Sequence, residues 1–325
     1  MSSRASYWLL GVVALLVLAT AGIAFGAVPL SIGEVWDALR GTGDSTTIGI
    51  VRSLRLPRVA LAALVGAALG LSGAALQGTL RNPLAEPYLL GVSGGAAVGA
   101  VGAIVLGAPF ALVPIAAFAG AAAAVVLAVG VARAAHGRGD PRVLIMAGVI
   151  VGAFANAVIM VALGAAPANT VRGALWWMMG SVSDARWSQV AWLGVTCLVG
   201  GSVLVLLGRE MDVLSLGEEP AAALGVRVER SGRRIFLLAS LLAAATVTAA
   251  GLIGFVGLVV PHIARGAGMR GHRALLPASA LAGATLVIAA DLLARTLRAP
   301  IELPLGAVTA LIGVPFFLTR LRRIA

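Results

Sequence analysis

Nearly uncharged stretches of up to about 20 residues recur along this chain from Tyr7 to Leu318. Most are long enough to cross the hydrocarbon core of a bilayer as a helix. In that medium every backbone N–H and C=O must be satisfied internally, which leaves only helices and closed barrels. Barrel strands alternate apolar and polar residues, whereas these stretches are apolar on all sides. The pattern predicts an all-α polytopic membrane protein with one transmembrane domain over residues 1–325. About ten spans are predicted: Tyr7–Ala27, Val59–Leu80, Tyr88–Leu106, Ala108–Ala132, Val143–Leu163, Gln189–Leu207, Ile235–Leu252, Phe255–Ile263, Leu275–Leu293 and Pro304–Leu318, the eighth unusually short. Composition agrees: 60% of the 325 residues are hydrophobic and 11% charged, too few charges to cover a soluble domain.

Every basic residue is an arginine, and the net charge is +11. With both termini in the cytoplasm, sixteen arginines fall inside and eight outside. The outer set is Arg40, Arg52, Arg55, Arg58, Arg172, Arg186, Arg295 and Arg298. That bias is the positive-inside signature. Arginines scattered between spans, without interleaved aromatics, argue against a nucleic-acid surface. The absence of lysine excludes a Walker A phosphate loop, so ATP hydrolysis driving any transport would belong to another polypeptide. A lone Cys197 excludes an intrachain disulfide and a multi-cysteine metal site. The first apolar stretch runs to about Gly26, long for a signal peptide, and reads as a retained helix.

Two polar connections are long. Val28–Arg58, outside, contains "SIGEVWDALRG", an amphipathic helix with Ser31 as its N-cap. Residues 209–234, inside, divide into two short helical pieces broken by Gly217 and Gly225, and a loop of that size suggests partner docking. A weak internal repeat lays "LVGAALGLSGAALQGTLRNP" on "LAAATVTAAGLIGFVGLVVP", matching Gly73 with Gly251 and Pro83 with Pro261. Five spans separate the copies, so they would be inverted, as is common in transporters. Gly66, Gly70 and Gly73 repeat at helical spacing and predict close helix packing.

Few residues offer chemistry. "GVSGG", Gly91–Gly95, fits the G-x-S-x-G nucleophile pattern, and Ser93 with His262 would make an intramembrane serine protease. A proline-broken turn precedes it in place of a strand, so helix packing is the stronger reading. His262 has no Cys, Asp or Glu at ligand spacing. The acidic residues near spans are Glu86, Asp291 and Glu302. Ionisable groups at membrane depth are functional candidates, but nearby arginines favour structural pairing, for instance Asp291 with Arg295 one helical turn on.

Six stretches in order carry a family resemblance. "LRLPRVALAALVGAALGLSGAALQGTLRNPLAEPYLLGVSGGA" resembles the signature region of FecCD-type permeases, the membrane subunits of bacterial ABC importers for iron-siderophores, haem and cobalamin. "LWWMMGSVS", "LGEEPAAALGV", "GLIGFVGLVVPHIARGAGMRGHRALLP", "GATLVIAADLLAR" and "ELPLGAVTALIGVPFFLTRL" resemble later segments of the same family. Where the family often has Asp before the "HR" of an inner loop, this chain has Gly271. The resemblance implies the fold of the cobalamin-importer permease and a noncatalytic subunit without cofactor or metal. It implies a multi-pass protein of the bacterial inner membrane whose cargo is a metal chelate, foremost a ferric siderophore, with haem or cobalamin as alternatives. The implied partners are a second copy of the chain, two ATP-binding cassette ATPases and an extracytoplasmic binding protein. The implied residues are Arg55, Arg58 and Arg295 for binding-protein docking, and Leu216, Gly217, Glu218, Glu219, Ala222, Leu224 and Gly225 for ATPase coupling. Arg81, Asn82, Pro83, Pro87, Gly91, Gly254, Pro261 and His262 mark the signature and core.

Overall fold

The computed structural model describes residues 3–135 and 141–321. His136 and the inner arginines Arg138, Arg322 and Arg323 lie outside the described residues. Among the described residues the chain is helical and carries no strand. Its α-helices are α1 (Ser3–Ala24), α2 (Ile32–Arg40), α3 (Ser45–Gly49), α4 (Leu56–Thr79), α5 (Val92–Val105), α6 (Val113–Ala134), α7 (Pro141–Gly164), α8 (Ala168–Met178), α9 (Trp187–Leu206), α10 (Gly208–Leu214), α11 (Glu218–Ala223), α12 (Val228–Ala250), α13 (Val256–Gly266), α14 (His272–Thr296) and α15 (Leu305–Leu321). A helix underlies each of the ten predicted spans, and seven described helices are long and apolar enough to cross a membrane. α5, α13 and α15 are shorter, as the eighth predicted span anticipated for α13.

Helix α4 is the axis of the bundle, because nearly every residue from Pro57 to Thr79 is buried. Its glycines explain how. A Cβ on Gly66 would lie 2.0 Å from Gly283 O, one on Gly70 2.2 Å from Ser279 O, and one on Gly73 2.0 Å from Gly257 O. Only hydrogen at these positions lets α14 and α13 approach so closely, the small-residue logic of membrane helix packing. The register of the first two contacts makes α4 and α14 antiparallel, with Arg58 beside Asp291 at one end and Gly78 beside His272 at the other. The two ends of the bundle are named here by Arg58 and Arg81.

The first described helix starts, and the last one finishes, toward the Arg81 end. Tyr7 Oη donates to Ala278 O and Gly22 packs on Arg295, so α1 runs parallel to α14. α15 starts at the Arg58 end, where Gly306 N donates to Met179 O, and reaches His262 through Phe317. α12 and α13 both pack on α4 and are joined by a break at Gly251–Phe255, where Gly251 and Phe255 have positive φ. α5 and α6 pair through Gly95 on Gly120 and Gly99 on Ala116.

Three expectations change. The outer connection is shorter than Val28–Arg58, because a π-helical turn, Ile50–Arg55, joins α3 to α4 in one helix, Ser45–Thr79. Leu56 N donates five residues back to Val51 O, which carries the helix past Pro57 and its missing donor. α8 was not foreseen as an element: its amphipathic "ANTVRGALWWM" is too short to span. The proposed repeat pairs unlike structures, since Gly73 sits inside the unbroken α4 whereas Gly251 caps α12. By contrast, Ser31 caps α2 as foreseen, forming a capping box with Glu34. Gly217 and Gly225 adopt φ of +117° and +81°, breaking the long inner loop where expected.

Candidate functional site

At the Arg58 end, Arg58 and Asp291 form a buried pair. Arg58 Nε and Nη2 donate to Asp291 Oδ1 at 3.0 and 2.9 Å, and Nη1 and Nη2 donate to Glu302 at 2.7 and 2.9 Å. The guanidinium fork suits two carboxylates at once. Arg295 Nε lies 3.5 Å from Asp291 Oδ2, so the predicted one-turn pair exists, and Arg295 Nη2 donates to Gly22 O. Arg55 donates to the carbonyls of Ile23, Ala24 and Val28, stitching the end of α1 to the π turn.

The three docking candidates, Arg55, Arg58 and Arg295, are thus buried and tied to partners within the chain, apart from Arg295 Nε, which has no hydrogen-bond partner. Exposed Arg52 donates to Ala38 O and Leu39 O, and Arg40 stacks on Trp36. The exposed arginines without an ion pair among the described residues at this end are Arg40, Arg52, Arg172, Arg186 and Arg298. Two cavities open here. One of about 500 Å³ lies between Trp176, Trp177, Ser181, Thr248 and Leu303. Its neighbour, of about 320 Å³, is lined by Arg55, Arg58 and Arg295. Glu302 and Ser183 border both.

The signature turn clasps the α12–α13 break. Arg81 is left-handed, φ +50°, and Asn82 Oδ1 accepts from Leu84 N at 2.9 Å, an Asx turn just before Pro83 redirects the chain. Buried Glu86 accepts from Phe255 N, and Tyr88 Oη from Ile253 N at 3.3 Å. Pro87 packs where a Cβ on Gly257 would fall, and Gly254 faces Glu86. Gly91, φ +82°, then lets a short 3-10 turn open into α5. The Ser93 hydroxyl donates to Tyr88 O at 2.9 Å, a local bond within the turn. Pro261 lies inside α13, and His262 Nδ1 pairs with Leu258 O one turn back.

At the Arg81 end, polar side chains tie the cytoplasmic-loop candidates to the bundle. Gln77 donates to Gly257 O and Leu258 O and accepts from Arg265 Nη1 at 2.6 Å, joining α4 to α13. Arg81 Nη2 reaches Glu218 Oε1 at 2.9 Å, holding α11 against the signature turn. Leu216 and Leu224, at 61% and 63% exposed, flank α11, and Glu219 and Ala222 are exposed beside them. Asp212 Oδ1 accepts from His272 N at 2.9 Å and meets His272 Nδ1 at 2.6 Å. Gly271 is the N-cap of α14 and supplies no side-chain acceptor, so the carboxylate that caps α14 comes from α10 instead. That answers the departure at Gly271. Sequence reasoning missed Gln77 and Asp212; Gln77 was legible as the sole amide side chain of an apolar helix, whereas Asp212 became meaningful only through its partner.

Residues 14–323 match the model of the FecCD transport family. An uncharacterized ABC transporter permease protein of Bacillus subtilis, YvrB, is 40% identical over 97% of this chain and 93% of its own length. The cobalamin import system permease protein BtuC of Halobacterium salinarum is 46% identical over 84% and 73%. The hemin transport system permease protein HmuU of Yersinia pestis is 40% identical over 94% and 91%. A solved metal-chelate type ABC transporter in an inward-facing conformation superposes with a TM-score of 0.87 at 30% identity, covering 96% of this chain and 97% of that one. With a family match over residues 14–323 and relatives 40–46% identical over most of the chain, the chain belongs to the FecCD transport family.

Proposed function

We propose that this protein is the noncatalytic membrane permease of a bacterial ABC importer that carries a metal chelate inward. The observation that carries the reading is the full-length superposition on a metal-chelate type ABC transporter. In this reading the Arg81 end faces the cytoplasm and both termini lie there, in keeping with the arginine bias. Two copies flank the path, supported by the apolar face that α7 leaves exposed at Met146, Ile150, Phe154 and Val161. Partner ATPases bind the 209–234 segment, where Leu216 and Leu224 stand out from a base held by Arg81–Glu218. A binding protein docks at the opposite end, where Arg55, Arg58 and Arg295 line a cavity and Arg172, Arg186 and Arg298 stand exposed around them.

The mechanism follows from the connections. Closure of the ATPases on ATP moves α11. Arg81 passes that movement to the end of α4, and Asp212 passes it to the start of α14. Because α4 and α14 pack backbone to backbone, they move as one body. Glu86 and Tyr88 grip the α12–α13 break, the place where two residues of positive φ allow hinge bending. The relatives named above span cobalamin and haemin, and a further one at 38% identity is an Fe(3+)-citrate import system permease protein of Bacillus subtilis. The uptake assay therefore compares ferric siderophore, haem and cobalamin. The test of the whole reading is Leu224→Arg in the assembled complex. Uptake and substrate-stimulated ATP hydrolysis should fall at least tenfold with the permease still inserted; normal values for both would reject the coupling role.

A further inference from the structure

The Arg81 end holds a cavity that the transport reading does not use. It measures about 80 Å³ and lies where α4, α6, α7 and α12 end or begin. Its floor and walls are apolar: Leu80, Val129, Leu144, Leu214 and Phe236. Its rim carries Arg81, Arg133 and Arg233 from three separate elements, against Glu218 and Glu229. Arg81 is held by Glu218. Among the described residues, Arg133 and Arg233 have no carboxylate within ion-pair distance. Thr79, also on the lining and 6% exposed, has a buried hydroxyl oxygen with no hydrogen-bond partner. α12 starts here with no side-chain cap on its first-turn amides, and its residues Val228 and Glu229 border the cavity. Such amides, at the positive end of a helix dipole, favour an anion.

We infer that this cavity binds the phosphate headgroup of an anionic phospholipid from the adjacent leaflet. The two unpaired guanidinium groups, the unpartnered hydroxyl and the uncapped helix start together call for an anion with several acceptor oxygens. The position selects a lipid over a soluble phosphate. Thr79 closes a membrane-length helix, Arg133 stands in the last turn of another, and Leu144 and Arg233 stand in the first two turns of two more. All four mark the depth at which hydrocarbon meets headgroups, where basic pockets between helices capture acidic lipids. The apolar walls accept the start of an acyl chain. Leu214 and Glu218 belong to the segment read as the ATPase contact, so a bound lipid brackets that segment against α6 and α12. Lipid binding is nonetheless a property of this chain alone and stands whether or not the transport reading holds.

The experiment is native mass spectrometry of the full-length protein purified from membranes, titrated with phosphatidylglycerol or phosphatidylcholine. Replacing both arginines, Arg133→Gln with Arg233→Gln, should lower phosphatidylglycerol retention by roughly thirty-fold, the effect of two charges at a lipid surface. Phosphatidylcholine retention should not change. The matched control, Arg227→Gln with Arg230→Gln, removes two exposed arginines of the same loop that do not line the cavity, and should change retention less than twofold. Equal losses in both variants would reduce the effect to general surface charge and overturn the site. Gly232→Leu tests the cavity without touching charge: a Cβ there meets only Thr79 Cγ2, at 3.8 Å, so the larger side chain enters the cavity and should also expel phosphatidylglycerol. Unchanged retention in this variant would overturn the location. Displacement of the lipid by millimolar inorganic phosphate would overturn the lipid in favour of a free anion.

Discussion

Removing Asp291 should destabilise the protein far more than removing Glu302, although both carboxylates bind Arg58. The Asp291 side chain is 2% exposed and that of Glu302 40%, while the Arg58 side chain they share is 11% exposed. Asp291→Ala strips Arg58 Nε of its acceptor and removes the carboxylate beside Arg295 Nε, which is buried and has no hydrogen bond of its own. Two guanidinium groups are then left buried beside one another without their common counter-charge. Breaking a buried pair from one side costs about 3–5 kcal/mol. Glu302→Ala leaves Asp291 in place and lets water replace the lost oxygens, so it should cost about 1 kcal/mol or less. At roughly 2 °C per kcal/mol for a chain of this size, the melting temperature should fall by about 6–10 °C and about 2 °C, respectively. Fluorescence-detected size-exclusion after heating, in one detergent, measures both. The double replacement Arg58→Met with Asp291→Leu should recover part of the loss, because apolar residues of similar volume suit a dry site; buried Arg295 and half-exposed Glu302 then lack a counter-charge. A Glu302→Ala loss equal to or larger than the Asp291→Ala loss would show that the pair is solvated and refute the reasoning.

Three further outcomes follow from other parts of the molecule. Gly70→Leu should cost at least about 1–3 kcal/mol, because even its Cβ would meet the Ser279 backbone at 2.2 Å; wild-type melting in detergent would show that this face does not bear on α14. Asp212→Ala should lose about 1 kcal/mol of capping energy from α14, and adding Gly271→Asp should restore it. Gly271 already has the extended N-cap geometry, φ −81° and ψ 141°. In the unaltered chain the same Gly271→Asp should not stabilise, since its Cβ would stand 3.6 Å from Asp212 Oδ2; a thermal double-mutant cycle without this sign reversal would reject capping from α10. The Glu34 carboxyl, held down first by the Ser31 hydroxyl and then by the Ser31 amide, has a lowered folded-state pKa, so its support for α2 is present above the ordinary glutamate range and is lost as pH falls through the folded value. Amide exchange across α2 should therefore speed up in acid, whereas pH-independent exchange would remove the capping box from the account.

The class of this protein was legible without coordinates because hydrocarbon imposes a one-dimensional rule: runs of apolar residues must be helices, and their lengths follow from bilayer thickness. The caps and breaks were legible for a similar reason. Ser31, Gly217 and Gly225 act on their own backbone neighbourhood, and local chemistry suffices to read them. The family was readable from ordered motifs. What the chain order could not specify was which end of a side chain meets what. The family resemblance implies docking for Arg55, Arg58 and Arg295, and, the Asp291–Arg295 turn aside, nothing in their local sequence names their partners within the chain. The three arginines are buried because Asp291, 233 positions along the chain from Arg58, and the carbonyls at the end of α1 arrive at the same point. Likewise Gly271 read as a missing pairing until α10 brought Asp212 beside His272. Burial and partnership of charge depend on helices folded back against one another, and in a bundle whose contacts run between α4 and α14 that proximity exists only in the tertiary structure.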